Sequence, residues 1–160
     1  MSRRKRDIAR RFIGQDGVYG SELMQKFINI VMTQGKKNVA RTIVYEAMDV
    51  LTKKMNGDKE KALELFNESF NRIIPSVEVR SRRVGGSVYQ VPKVVNPDRG
   101  QALAMRWLIS AAKTRPGKTM GKRLAGEMLD AFDGRGSAVK KRADIHRMAE
   151  ANRAFSHFAW

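Results

Sequence analysis

Arg80, Arg82 and Arg83 stand just before a Gly85-Gly86 pair, and a second set, Arg99, Arg106 and Lys113, recurs every seven residues. Cations at these spacings suit phosphate. The planar guanidinium fork grips it bidentately and can stack on a base, while a lysine acts as a point charge. Tyr89 adds a stacking surface. The groups that other chemistries need are scarce. The chain has no cysteine, which excludes disulfides, thiolate nucleophiles and sulfur-ligated zinc. His146 and His157 are its only imidazoles. With no nucleophile implied beside it, His146 reads as a satisfied or phosphate-facing histidine and not as a catalytic base. The expectation is a protein that is not an enzyme, with no catalytic residue, no metal, no cofactor and no small-molecule substrate.

One segment imitates nucleotide chemistry. Ala112 to Thr119, ending Pro116-Gly117-Lys118-Thr119, fits a permissive phosphate-loop pattern. Such a loop must follow a buried strand and offer successive backbone N–H groups. Here the preceding residues read as a helix and Pro116 has no N–H, so the match is a decoy.

The chain of 160 residues carries a formal charge of +16, with 42% hydrophobic residues. That is enough apolar content for one core, which a basic disordered tail lacks. No segment has the length of a membrane span or the form of a secretory signal, so the expectation is a soluble single domain of a reducing compartment, bound to a polyanion and not to a membrane. The charge is uneven. Arg3, Arg4, Lys5, Arg6, Arg10 and Arg11 crowd the N-terminus, giving a basic arm over 1–15 ahead of a domain over 16–160. Arg106, Lys113, Arg115, Lys118, Lys122 and Arg123 lie in an acid-free interval, and Lys140, Lys141, Arg142, Arg147 and Arg153 form a last group. The stretch from Glu46 to Glu68 is slightly acidic and is expected to face away from the polyanion.

Six helices must carry these groups. Ser21 caps a first, which runs through Leu23, Met24, Phe27, Ile28 and Val31 to Gly35. A second buries Val39, Ile43, Ala47, Leu51 and Met55, and a third follows Asp58 with Ala62, Leu63, Phe66, Phe70 and Ile73 inward. Residues 77–95 then alternate around Gly85-Gly86, a turn that needs positive φ. The implied pairs are Val84 with Ser87, Arg82 with Tyr89 and Arg80 with Val91. A two-stranded ribbon without a third strand should project as an arm of roughly 26 Å, packed at its base through Val77, Val79, Val94 and Val95. Asn96-Pro97 opens a fourth helix, Thr119 caps a fifth and a sixth spans about 137–154, followed by an aromatic tail. The fold class is mainly α, with one β-ribbon between the third and fourth helices. Gly121 looks like a weak point in the fifth helix, at a cost of about 1 kcal/mol against Ala.

Two kinds of polyanion compete. The junction at Gln34-Gly35-Lys36 resembles a helix-turn-helix, which would make the chain a DNA-binding regulator that reads a groove with Lys37, Asn38 and Arg41. Glu46 and Asp49 follow on the same helix and would face phosphates unfavourably. Four scattered basic regions suit an irregularly folded RNA better than one regular groove.

The segment Val77-Glu-Val-Arg-Ser-Arg-Arg-Val-Gly-Gly-Ser-Val-Tyr-Gln-Val-Pro92 resembles the hairpin signature of the small-subunit ribosomal protein seven family. Met148-Ala-Glu-Ala-Asn-Arg-Ala-Phe-Ser-His157 is similar to its C-terminal signature, and Gly35-Lys36-Lys37 and Ala104-Met-Arg-Trp107 also match. The resemblance covers about Asp16 to Trp160. It implies a primary binder of 16S ribosomal RNA that nucleates assembly of the head of the small subunit. Its hairpin would lie near the exit site, where messenger and transfer RNA pass, with head and platform proteins as neighbours. Repression of its own messenger RNA is a further family property. The place implied is the cytoplasm, or an organelle matrix or stroma. By position, the ribosomal RNA contacts implied are Arg3, Arg4, Arg6, Arg10, Lys36, Lys37, Arg99, Arg106, Lys113, Arg115, Lys118, Lys122, Arg142 and Arg147. The exit-site hairpin comprises Arg80, Arg82, Arg83, Val84, Gly85, Gly86 and Tyr89.

Overall fold

Most helices start where a short polar side chain can accept from a backbone N–H that the helix itself leaves unpaired. In the computed structural model, which describes residues 12–158, Ser21 Oγ accepts from Met24 N–H at the start of α1 (Glu22–Val31). α2 (Lys37–Lys54) has no side-chain cap. Asp58 accepts from Glu60 and Lys61 N–H ahead of α3 (Lys59–Ile73). Asn96 caps α4 (Pro97–Thr114), with Pro97 at the first helical position, and Thr119 caps α5 (Met120–Phe132). α6 (Ser137–Ala151) leads into a 3-10 helix, Arg153–Phe158. The fold is mainly helical, with one two-stranded antiparallel sheet between α3 and α4.

Two helix ends differ from the periodicity. α1 stops at Val31 and not at Gly35, because Met32 turns extended (ψ 132°) and Gln34 and Gly35 both take positive φ. α6 stops at Ala151, where the Asn152 side-chain amide donates to the Met148 carbonyl, and the aromatic tail coils into the 3-10 helix.

The core is a stack of helix stripes with an aromatic centre. Phe27, Phe66 and Phe70 meet edge to face at centroid distances of 4.9–5.9 Å, a geometry worth about 0.5–1.5 kcal/mol per pair beyond burial. Met24, Met48, Leu51, Ile73, Met105, Leu108, Leu124 and Met128 close around them. The buried stripe of α2 is Ala40, Val44, Ala47, Met48 and Leu51, so Val39 is exposed and Ile43 only half-buried. A strict four-residue step drifts around a 3.6-residue helix, which is why the expected row leaves the core at its ends. In α3, Leu65 is buried and Leu63 half-buried. In α4, Ala104, Met105 and Leu108 are the inward residues, while Leu103 and Trp107 are half-buried.

The ribbon pairs β1 (Val77–Val84) with β2 (Ser87–Val94) in the expected register, with Val84 opposite Ser87, Arg82 opposite Tyr89 and Arg80 opposite Val91. Gly85 and Gly86 have φ of 56° and 87°, which a two-residue hairpin turn demands. Its base is closed by Val95 N–H donating to the Ser76 carbonyl at 3.0 Å. The base packs differently from expectation. Val95 is buried and Val77 and Val79 are half-buried, but Val94 is 79% exposed. The alternation puts Glu78, Val91 and Tyr89 on one face, and that is the face with the buried residues. The ribbon also packs against α6 and the 3-10 helix over much of its length, while the turn and Val88 stay exposed.

Candidate nucleic-acid interface

The cations of the chain divide by what they touch. The first group is tied to carboxylates. Arg80 Nε donates to Glu78 at 2.6 Å, and Arg99, from the first turn of α4, donates to the same carboxylate at 2.7–3.0 Å. The Glu78 side chain is 10% exposed, and the hydrogen bond from Arg99 holds its carboxyl below the usual range, with Arg80 assisting. These two arginines therefore strut the ribbon base against α4. Arg115 sits between the buried carboxylate of Glu127, at 2.8 Å, and Asp130. Glu127 is fully buried and its other oxygen accepts from Ala138 N–H at 2.9 Å, so one carboxylate joins the loop after α4 to the N-terminus of α6. Arg147 pairs loosely with Asp144 at 3.4 Å.

The second group has no carboxylate partner among the described residues. Arg106 and Lys113 are exposed on α4, and Arg106 Nε donates only to the Ala102 carbonyl. Lys118 and Lys122 are exposed around the start of α5. Lys36 and Lys37 stand at the N-terminus of α2, where no side chain caps the backbone. Arg83 is exposed near the ribbon tip, whereas Arg82, opposite Tyr89, is half-buried and does not belong to this group. Arg142 is half-buried, and its Nε is a buried donor without a hydrogen-bond partner among the described residues. Arg3, Arg4, Arg6 and Arg10 lie outside the described residues.

Two of the helices that carry this set pack on each other. α2 lies along α5, and Glu46 Oε1 accepts the Thr119 hydroxyl at 2.6 Å. Lys37 is nine residues before Glu46 on the same helix, about 14 Å along the axis. Lys36 and Lys37 therefore stand at the start of the helix that packs along α5, while Lys118 and Lys122 flank the start of α5 itself. The acidic stretch does not wholly turn away from the basic one, since Glu46 reaches the start of α5, where Thr119 already supplies the cap. Arg99 and Arg106 line one shallow depression of about 410 Å³ with Asn96, Asp98 and Ala102.

Two sequence readings change in this setting, those of Tyr89 and Gly121, while the reading of His146 as a satisfied histidine gains its partner. Tyr89 is no open stacking platform, because its ring lies 5.0 Å from that of Phe155 and 5.5 Å from that of Phe158. His146 Nε2 accepts from Ser76 N–H at 3.3 Å, and burial, with the charge of Arg142, lowers its pKa. Gly121 is a site of close approach: a Cβ there would lie 2.7 Å from that of Glu46. The sequence missed Asp16, a buried carboxylate that accepts from the Tyr45 hydroxyl at 2.6 Å and from Val18 and Tyr19 N–H. Only the Asx-turn pattern around Asp16-Gly17 could have signalled it. The phosphate-loop decoy starts inside α4, with no strand before it. The exposed face of α2 that a groove-reading helix would use carries Asn38, Arg41 and Thr42, but also Asp49.

The family described as ribosomal protein S7p/S5e matches residues 2–153. The small ribosomal subunit protein uS7 of Idiomarina loihiensis is 57% identical over 157 residues, covering 98% of this chain and 99% of that protein. That of Colwellia psychrerythraea is also 57% identical, with the same coverage. That of Erythrobacter litoralis is 54% identical over 160 residues, the whole of both chains.

Proposed function

The chain belongs to the ribosomal protein S7p/S5e family, and from that premise we propose that it binds 16S ribosomal RNA in the head of the small subunit and nucleates folding of that domain. Its role is structural, in the small ribosomal subunit, and it is not an enzyme. No helix among the described residues is long and apolar enough to cross a membrane. The ribosome concerned is that of the bacterial cytoplasm, with head and platform proteins as neighbours, and the hairpin approaches the exit site where messenger and transfer RNA pass.

The observation that carries the reading is the division of the cations. Arg106, Lys113, Lys118, Lys122, Lys36 and Lys37 have no carboxylate partner among the described residues, although the chain spends its acids on Arg72, Arg80, Arg99 and Arg115. Unpaired charges on several helices suit phosphates that follow an irregular path. The uncapped start of α2 adds backbone N–H groups to Lys36 and Lys37 at the same place. Arg99 and Arg115 enter this reading as internal struts, and Arg142 and Arg147 as lesser contacts. The reading assigns 1–15 as a basic arm and 16–160 as the RNA-binding body, the latter beginning at the buried Asp16.

The deciding measurement is competition between the 3′ major domain of 16S RNA and duplex DNA at matched salt. The expected result is preference for the RNA, with an affinity that falls steeply as salt rises. Preference for the duplex would return the helix-turn-helix reading around Gly35.

A further inference from the structure

We propose that the 3-10 helix Arg153–Phe158 is an aromatic clamp that sets the direction of the ribbon, with Phe155 and Phe158 as its positioning residues and Tyr89 as its seat. A two-stranded ribbon has no third strand to fix its orientation and is marginal alone. It must take its orientation from other contacts. Beside the general packing on α6, three specific contacts among the described residues serve this end. Tyr89, five residues out from the base end of β2 at Val94 and two from its turn end, meets both Phe155 and Phe158 at centroid distances of 5.0 and 5.5 Å. At the base, Ser76 N–H donates to His146 Nε2, and Glu78 is held by Arg99. The base contacts fix where the ribbon starts, and the aromatic contact, farther out, fixes where it points.

The clamp selects which side chains remain available. Tyr89, Arg82 and Arg80 share one face of the ribbon, and the ring contacts occupy that face. Arg83 and Val88 pair across the other face and are exposed, as are Gly85 and Gly86 at the turn. The ribbon therefore presents Arg83 and the turn, and Tyr89 works as an anchor and not as a base-stacking group. The functional half of this statement rests on the proposed placement of the hairpin near RNA. The clamp itself rests on the ring contacts alone.

The test uses the full chain. In Phe155→Ala/Phe158→Ala and in Tyr89→Ala, amide hydrogen exchange in residues 80–91 should accelerate about tenfold or more, with exchange in α1 to α5 unchanged. Tyr89→Phe keeps the ring and should exchange as the parent does. These rings lie outside the main core cluster, so the variants are expected to fold. If Tyr89→Ala leaves ribbon exchange unchanged, the clamp does not exist. The second readout uses Ser87→Cys, a unique thiol in a chain with no natural cysteine, carrying a tethered iron chelate on the protein bound to the 3′ major domain RNA. Focused cleavage of the RNA should spread over more nucleotides when both phenylalanines are replaced. Identical cleavage in both proteins would overturn the positioning role. Absence of cleavage in the parent would instead defeat the placement of the hairpin near RNA, leaving the exchange result to decide the clamp.

Discussion

Gly121 and Glu46 bring α5 and α2 so close that a Cβ on Gly121 would fall 2.7 Å from the Glu46 Cβ and 2.4 Å from its Oε2. The carboxylate could rotate away, but a Cβ moves only with its helix. Glycine inside a helix normally costs about 1 kcal/mol against alanine, so propensity alone marks Gly121→Ala as stabilising. Contact reverses the sign. The expected net effect is destabilisation by about 1–3 kcal/mol, the usual cost of overpacking, or roughly 2–4 °C of Tm for each kcal/mol. A thermal melt of the variant that rises above the parent would refute the close-approach account.

Arg115 and Lys118 are three residues apart and should behave oppositely. Arg115 answers the buried carboxylate of Glu127, and the hydrogen bond it donates to Glu127 is the foremost reason its guanidinium pKa is raised. Removing it leaves that carboxylate uncompensated. Arg115→Ala should cost about 2–3 kcal/mol of stability, at or below the range for fully buried pairs because Arg115 keeps some solvent contact. Its affinity for RNA, measured on the folded fraction, should change little. Lys118→Ala should leave the melt unchanged and lower the slope of log K against log salt by about one. Denaturation and filter binding on both variants separate the roles.

How much of this was readable in advance depends on the range of each interaction. Local chemistry was legible: Ser21, Asp58, Asn96 and Thr119 act within three residues of themselves, and Gly85-Gly86 fixed the ribbon register through its own turn geometry. Contacts across the chain were not. Arg115 looked like one more cation in an acid-free interval, because Glu127 and Asp130 reach it only after α5 folds back. Arg99 fell in the right row for a basic helix face, yet Glu78, 21 residues earlier, holds it. Tyr89 was placed opposite Arg82 correctly, but its ring contacts come from a tail 66 residues later whose helix ended earlier than periodicity implied. Charge placement predicts a polyanion surface; only packing separates struts from cations that have no carboxylate partner among the described residues.

Tyr45 ties the segment before α1 to α2 through Asp16. Burial, with the Asp16 hydrogen bond, pushes the Tyr45 hydroxyl up to about 12. A raised pKa means that the neutral phenol is favoured by folding, so the contribution is complete below pH 10, the unfolded value. It is lost as pH rises through 10 to about 12. Tyr45→Phe leaves the buried carboxylate one donor short and should cost about 1.5–3 kcal/mol at neutral pH. It should also flatten the alkaline branch of the stability curve, which a series of denaturant melts between pH 8 and 11 would record.

His146 should show the opposite dependence. It accepts from Ser76 in its neutral form, and its pKa is lowered by burial and then by Arg142. Glu150 on its own helix, Arg153 of the 3-10 helix and Lys93 of β2 line the same cavity. A depressed folded pKa gives stability that is present above the unfolded value of about 6.5 and lost as pH falls through the folded one. Ribbon protection against hydrogen exchange should therefore fall below pH 6.5. His146→Gln can still accept from Ser76 without titrating, and its protection should stay flat over the same range. A parent-like decline in that variant would assign the effect to another group.

Arg80 and Arg83 offer the sharpest separation within the ribbon. Arg80 shares the Glu78 carboxylate with Arg99, whereas Arg83 is exposed on the opposite face and has no carboxylate partner among the described residues. A guanidinium already neutralised by a carboxylate releases few counterions when RNA arrives, so its loss should barely alter the salt dependence. Arg83→Ala should reduce the salt slope by about one if the tip touches phosphate in the assembled head, and weaken binding about equally across sequence variants of the RNA. Arg80→Ala should leave the slope unchanged and instead loosen the ribbon base, since Glu78 keeps Arg99 but loses its shortest donor. Equal slopes for both variants, both reduced, would place Arg80 on the RNA and remove its role as a strut.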